Sequence, residues 1–597
     1  MPVIKVPSFD GLIPRESTTA LPETNATVAT NVKLYSKELG FVNGPRLEYT
    51  PPIIGVTSIY KYYYTTTAYY WFTWQADVDA QPSPAADTSD FRVYYTGDGA
   101  PKKTNLTLAT SGSGAYPQAS LPMGVYQPTI APNVATTGTV TSTTNPQTVA
   151  YIYTNLSTFG SLTEESGPSL ASALITYNTG QNVVVSGFQA VPSGYNITKR
   201  RIYRTVSGSS SANYQFVADI PVANSTFTDT VATASLGVVC PSLLYVEPPA
   251  TLQGLITHPN GSLVGFSGNT IYFSEPYLPH AWPVGYQINV PYKIIGLGLW
   301  GQSVVVVTDR YPYMLSGYTP GQITSERVQL LEPGVSKRSI QSDQNGVLYA
   351  SPNGLVSIGY QNRGVITNGI YRRDQWQALV PNIMQGALVD GKYYGTFATS
   401  ADNNSIVITS DDVPALSKLG IQPSATHVDS KNANLYYCDS ATSKIYQYDF
   451  DTLNPLTYTW TSKRWFFPTA QTFATLELDA DYTAISNYAT YTANRAAVIA
   501  ANATAFASPL NGALNTTPVD YYSVNGSAQG NVPSAATARQ VQVQIYADNV
   551  LVQTLTLTSL DPVRLVPFRC RELYVTVTGN VNVRSVAWAT TTRELHS

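Results

Sequence analysis

Four histidines, His258, His280, His427 and His596, are the side chains best suited to moving protons or binding metal near neutral pH, and they stand apart in the chain. No HxH or HxxxH spacing brings two imidazoles to one ion, so each reads as a structural or surface residue. One GxGxxG exists, Gly296-Leu297-Gly298-Leu299-Trp300-Gly301, behind the strand-like Lys293-Ile294-Ile295. A dinucleotide fingerprint needs a helix next, with its N-terminus facing the pyrophosphate. Val304 to Val307 is instead another strand-like run, which predicts a hairpin. No GxSxG and no P-loop occurs. The carboxylate pairs Glu164-Glu165, Asp411-Asp412 and Asp449/Asp451 lie in turn-like contexts. Glycosidase carboxylates meet only in space, and nothing in the sequence recommends these. Cys240, Cys438 and Cys570 have no CxxC spacing, so neither a zinc site nor a disulfide framework is indicated, and buried thiols are expected. The expectation is a protein that is not an enzyme, with no cofactor and no metal.

Two clusters could instead meet a partner. Lys199-Arg200-Arg201 with Arg204 is the one notable basic patch. On an alternating strand Arg200 and Arg204 share a face opposite Arg201, and that face is either solvated or set against an acidic neighbouring subunit. Trp460-Thr461-Ser462-Lys463-Arg464-Trp465 is a compact aromatic and basic motif, open to core packing or to subunit contact. Arg200, Arg204, Trp460 and Lys463 are therefore the candidate subunit contacts.

The elements that must position these residues are β-strands. The 597 residues carry 34 Lys and Arg and 37 Asp and Glu, 12% charged, roughly half the ~25% of an ordinary soluble protein. Hydrophobic residues make up 43%, and Tyr is abundant at 43 against 17 Phe. Disorder and long-helix architectures are excluded by this composition together with 41 Gly and 40 Pro. A net charge of −3 offers no counterion-displacing surface for gripping nucleic acid. No apolar run approaches the ~20 residues that cross a bilayer, and no signal peptide is readable, so no membrane insertion is expected.

Residues 1–52 read as an arm with first strands, and 53–148 as strands followed by a Gly, Ser, Thr and Pro-rich loop from 109. Evenly spaced strands over 149–247 have the cadence of a small β-sandwich. The order Tyr195, Arg201-Ile202-Tyr203-Arg204, Phe227-Thr228-Asp229 resembles a fibronectin type III module. From 248 to 470 strand pairs recur, beginning at Leu263, Ser303, Val347, Ala387 and His427, a period of 40 to 44 residues. That is the size of a four-stranded propeller blade. Within 471–540, Tyr482 to Ala507 is Ala-rich without Gly or Pro and predicts one helix ended by Ser508-Pro509. Strands return over 541–597. The predicted fold is mainly β: a β-propeller of ~40-residue blades, an inserted fibronectin-III-like sandwich and one helix insertion, with the terminal strands completing a blade or decorating the ring.

A series of segments, taken in order, resembles the tail nozzle (tail hub, tail tubular) proteins of short-tailed bacteriophages. They are Arg92 to Lys102, Leu121-Pro122-Met123-Gly124-Val125, Tyr151-Ile152-Tyr153-Thr154 leading into Glu164 to Ser169, Phe273-Ser274-Glu275-Pro276, Trp460-Thr461-Ser462-Lys463 and Arg593-Glu594-Leu595. Gln118-Ala119-Ser120 and Tyr126-Gln127-Pro128 depart from that pattern. The resemblance implies a virion tail protein forming a ring, commonly a hexamer, beneath the portal and adaptor ring, with tail fibres or spikes nearby and duplex DNA passing down the axis without tight binding. The competing class is a propeller-based glycan-binding or glycan-degrading tail protein, supported by the abundance of Tyr and Trp.

Overall fold

The computed structural model describes residues 3–85, 91–206, 213–359, 363–397, 405–409, 415–507 and 531–595. Strands hold 48% of the chain and helices 9%, which places it in the mainly β class.

Six four-stranded antiparallel sheets follow one another along the chain. Sheet I comprises Asp79–Pro82, Val93–Gly97, Gly99–Thr104 and Leu121–Pro122. Sheet II runs from Gln253–Thr257 to Ile288–Asn289, sheet III from Ile294–Trp300 to Thr324–Arg327, and sheet IV from Gln341–Asp343 to Arg363–Val365. Sheet V, from Gln385–Val389 to Leu416–Leu419, is the four-strand antiparallel end of a twelve-stranded sheet, joined to the rest by one parallel bridge between Thr30 and Lys418. Sheet VI has three strands of its own, Pro423–Val428, Leu435–Asp439 and Ile445–Asp451, and takes its fourth, Gly44–Tyr49, from near the N-terminus. A two-stranded hairpin, Ser58–Tyr63 with Tyr69–Trp74, follows that closing strand.

Alternation explains how the sheets stack. In Ser303–Thr308 every side chain from Val304 onward is buried, because successive residues serve opposite cores. Val304 and Val306 pack with Val264, Phe266 and Phe273 of sheet II. Val305 and Val307 pack with Val347, Tyr349 and Ile358 of sheet IV. Such strands are apolar without interruption, the pattern of a sheet covered on both faces. Sheets V and VI share a core of Ala387, Val407, Leu435 and Tyr437. The hairpin sits between sheet VI, through Ile59, Trp71 and Tyr436, and sheet I, through Phe72, Trp74, Val93 and Tyr95. Sheet I meets sheet II through Tyr94, Leu255 and Leu263.

The expected period holds in that Leu263, Ser303, Val347, Ala387 and His427 each fall in a different one of sheets II to VI. One short helix, Arg373–Ala378, departs from the all-strand expectation over 263–450; it sits between sheets IV and V and buries Trp376. Gly296 to Gly301 is a strand and its turn rather than a phosphate loop, as expected. Gly298 is required by packing: a Cβ there would come within 2.5 Å of Val347 Cγ1.

Between sheets I and II lies a sandwich of a three-stranded and a four-stranded sheet. Its first strand, Asn133–Val149, has 17 residues. This corrects the reading of 109–148 as loop and of 149 as the sandwich start: the Thr and Gly-rich run pairs with Ile175–Ser186, where β-branched Thr suits a pleated surface.

Val32–Lys33 and Gly40–Phe41 pair with each other, and the other strands form a platform. Ile4–Val6 pairs with Val583–Ala589, and Ala26–Thr30 pairs with Tyr458–Ser462 and, at Thr30 and Lys418, touches sheet V. The stretch read as an arm thus already carries strands from Ile4 onward. Trp465–Ala480, Val541–Ala547, Val550–Leu557 and Val563–Gly579 complete the platform. The C-terminal strands therefore build this platform and complete none of the six sheets; the N-terminal Gly44–Tyr49 does that. Tyr482–Ala507 is one helix, as predicted; it is tied at Tyr488 and Tyr491, whose hydroxyls donate to the carbonyls of Ala536 and Ser534.

Gly298→Val is expected to destabilise the protein by about 1–3 kcal/mol through overpacking, whereas Gly285→Ala, where a Cβ meets nothing within 4 Å, stays within about 0.5 kcal/mol. Thermal melts of both variants check this.

Candidate functional site: a cavity framed by first strands

The first strands of all six sheets, together with Thr57 to Tyr60 of the hairpin, frame one cavity of about 520 Å³. Its polar lining is spoken for. Lys337, on the turn entering sheet IV, lies 3.1 Å from Asp77 and 2.5 Å from Asp79. Arg338 reaches Asp77 at 2.8 Å and donates to Ser58 Oγ at 2.8 Å and to the Thr57 carbonyl. Asp79 also accepts the Gly254 N–H at 3.0 Å, joining sheet I to sheet II. Burial pushes the Asp79 carboxyl above its ordinary value, and the Lys337 ammonium opposes that shift. Gln385 donates to the Ser424 carbonyl at 2.7 Å, and Gln81 to that of Leu255 at 3.3 Å. The two glutamines bridge neighbouring sheets, whereas Lys337 and Arg338 reach across the cavity from sheet IV to the start of sheet I and to the hairpin.

Beside it, the hairpin is locked to sheet VI by a buried ion pair. Lys61 Nζ lies 3.1 Å from Asp429 and donates to Tyr436 Oη at 2.8 Å. The rings of Tyr69 and Tyr436 cover it at 4.2 and 4.3 Å, an aromatic cage that favours a desolvated cation. Burial disfavours charge on both partners. For Asp429 the hydrogen bonds from Tyr63 at 2.5 Å, from the Lys431 N–H and from Lys61 outweigh it and hold the carboxyl below its usual range. For Lys61 the bonds with Tyr436, Tyr63 and Asp429 outweigh it in the opposite direction. His427, next to this pair, is pushed down to about 4 by burial and accepts the Lys61 N–H at 3.4 Å.

A second buried constellation joins sheet I, the sandwich and sheet II. Lys103 pairs with Glu164, both 1% exposed, and donates to the Met123 carbonyl at 3.2 Å. His280 Nδ1 stands 3.8 Å from Glu164, and burial pushes this imidazole to about 4 as well. Glu165 accepts from Thr154, Tyr203 and Ser242 at 2.7 to 3.0 Å. Glu164 and Glu165 are thus strand residues at an interior joint, not turn residues.

Of the four candidate subunit contacts, Arg200, Arg204 and Trp460 are buried within the chain. Arg200 and Arg204 do share a face, but it is covered: Arg200 donates to the carbonyls of Val222 and Gln189, and Arg204 pairs with Asp229 at 2.5 Å. Trp460 is fully buried, edge-on to Phe9 at 4.9 Å. These three head groups are occupied within the chain, because the strands bearing them are covered by a second layer. Lys463 is half-buried. His258 is buried and bonded to the Gln302 carbonyl at 3.0 Å, and Cys240, Cys438 and Cys570 are buried free thiols. His596 and Asp411-Asp412 lie outside the described residues. Among the described residues no group of three His, Cys, Asp or Glu side chains could hold a metal ion. Sequence reading missed Lys61, although it is the one charge between Glu48 and Asp77 in a Tyr-rich run; a lone lysine there signals a buried partner.

Lys61→Met strands the buried Asp429 charge and is expected to cost about 3–5 kcal/mol, much of it recovered in Lys61→Met/Asp429→Asn; denaturant titration checks both. The histidines set an acid limit. Unfolded, His280 and His427 protonate near 6.5; folded, near 4. Their contribution to stability is complete above pH 6.5 and is lost as the pH falls toward 4. Tm is expected to drop across that window, and less so in His427→Gln; a flat Tm from pH 7 to 4.5 contradicts this.

The sequence matches no family model and no curated protein. Among solved structures it is similar to BBS1N in complex with ARL6DN (12% identity, 45% of this chain and 86% of that one, TM-score 0.25). It is also similar to Hsv2 of Kluyvelomyces marxianus (8%, 50% and 88%, TM-score 0.24) and to the AfRom2 CNH domain (9%, 48% and 88%, TM-score 0.22). At these TM-scores the likenesses carry no argument about fold or function.

Proposed function

We propose that the chain is a structural virion protein, the subunit of a ring-shaped tail nozzle that conducts genome DNA and anchors neighbouring tail parts in a short-tailed bacteriophage. The observation that carries this reading is where the nozzle-like segments lie. Arg92 to Lys102 forms a hairpin of sheet I, Met123 and Tyr94 pack with Phe159, Leu263 and Trp282, and Glu164 pairs with Lys103 beside them. Three of the resembling segments, scattered in sequence, thus meet at or beside one buried joint between sheet I, the sandwich and sheet II. A set of residues kept together for one interior joint suits a scaffold whose modules must hold fixed angles.

In this reading the six sheets and the hairpin are seven blades of a β-propeller. The successive shared cores, the single cavity framed by first strands and the closing strand Gly44–Tyr49 support it. The cavity is no DNA path: a sphere of 520 Å³ is about 10 Å across, less than the ~12 Å major groove of B-DNA alone. The duplex would run along the axis of an assembly, between copies, under the portal and adaptor ring and beside the tail fibres. Six copies at −3 each would carry −18, and a negative wall lets phosphate slide rather than bind.

Cryo-EM class averages of the purified protein or of particles are expected to show a ring on the tail axis, six-fold in copy number. A monomeric fibre tip, or catalytic release of reducing ends from envelope polysaccharide, favours the glycan-directed alternative and ends this reading.

A further inference from the structure

Part of each of two strand edges lacks the devices that keep β-edges apart: Asn133 to Gly138 stops short of the register shifts and Pro146 further along its strand, and Gln553 to Leu557 lies beyond the shift at Ile545/Tyr546. Asn133–Val149 is the outermost strand of the three-stranded sandwich sheet, in unbroken register with its one partner from Asn133 to Gly138. Among the described residues Val550–Leu557 pairs with Val541–Ala547 alone, in unbroken register from Gln553 to Leu557. Natural edges are blunted by Lys, Pro, bulges or a covering segment. Neither stretch contains a charge or a proline, and no charged residue occurs anywhere from Thr104 to Thr163 or from Asn549 to Leu560. Ala135, Thr136 and Thr137 are exposed. Beside the second edge, Val550 and Val566 are 66% and 63% exposed.

The occupant of such an edge is fixed by its chemistry: alternate N–H and C=O groups in a row are matched by another extended strand. Each edge offers five or six residues, an ordinary strand length. Each matches the other in lacking charge, and they are different surfaces of one molecule. Pairing one with the other between copies is heterologous, the contact type that closes into a ring. We propose that copies of this chain join by edge-to-edge β-pairing, Asn133–Gly138 of one copy adding to Gln553–Leu557 of the next. The inference rests on the ring reading above and names the surface that builds the ring.

The test is sedimentation of the full chain over a concentration series. Lysines are placed on exposed edge positions, Ala135→Lys/Thr137→Lys on one edge and Thr554→Lys/Thr556→Lys on the other. Each variant alone is expected to need more than roughly tenfold higher concentration to assemble, the loss of a strand's worth of hydrogen bonds. Mixed in equal amounts, they are expected to give dimers and nothing larger, since each supplies the edge the other lacks. Either variant assembling like the unaltered chain, or a mixture that stays monomeric, overturns the proposal. If the unaltered chain still forms rings, the nozzle reading survives that failure; if it is monomeric at every concentration, both fall. Should a lysine variant not fold, hydrogen exchange on the unaltered chain decides. Amides of 133–138 and 553–557 are expected to gain protection on assembly, and unchanged exchange in assembled rings overturns the pairing.

Discussion

Backbone hydrogen bonds between Gly44–Tyr49 and Ile445–Asp451 join segments as far apart as Arg46 and Gln447, 401 positions in sequence. The order of the six sheets depends on them. Without that strand, sheet VI ends on the open edge of Ile445–Asp451, and the hairpin that follows the strand loses its place. Bringing the ends together costs little more than for a shorter chain, since closure entropy grows by only ~0.6 kcal/mol per doubling of loop length. Side-chain contacts then fix the register: Lys33 pairs with Asp449 at 2.6 Å, and the Asn43 N–H donates to the same carboxylate at 2.7 Å. The rest of the N-terminal segment repeats the device, inserting Ala26–Thr30 between Tyr458–Ser462 and sheet V and laying Ile4–Val6 on Val583–Ala589.

Charge is scarce in this protein, and much of what is buried sits where modules meet. Lys61 and Asp429 join the hairpin to sheet VI, and Lys103 and Glu164 join sheet I to the sandwich; the half-buried Lys337 links sheet IV to sheet I across the cavity. Buried pairs add little net stability over apolar packing, yet losing one partner is costly. Each joint therefore tolerates one arrangement and penalises slippage. That is what a scaffold of many small sheets needs, because apolar faces alone accept several registers.

Local periodicity was legible, and long-range partnership was not. Val304 to Val307 announces a strand covered on both faces, and the Ala-rich run from Tyr482 announces a helix, because both signals lie within a few neighbouring residues. Asn133–Ser142 was misread since Thr, Ser and Gly mark loops by composition, while its strand depends on Ile175–Ser186 some forty positions later. Arg200 and Arg204 were read as outward-facing, and Trp460 was left open between core and subunit contact, since their covering layers, Val222 and Asp229 in one case and Phe9 in the other, are brought by the fold. The joint of Lys103, Glu164 and His280 is assembled from three distant segments, and only the isolation of the Glu164-Glu165 pair in an otherwise uncharged stretch hinted at it.

The closing strand and sheet VI, which it completes, are expected to behave as one cooperative unit. Native-state hydrogen exchange of the full chain in mild denaturant measures this directly. The account predicts that amides of 44–49 open together with those of 435–439 and 445–451, at the same free energy and with the same denaturant dependence. Exchange of 44–49 at a much lower free energy, with sheet VI still protected, would contradict it.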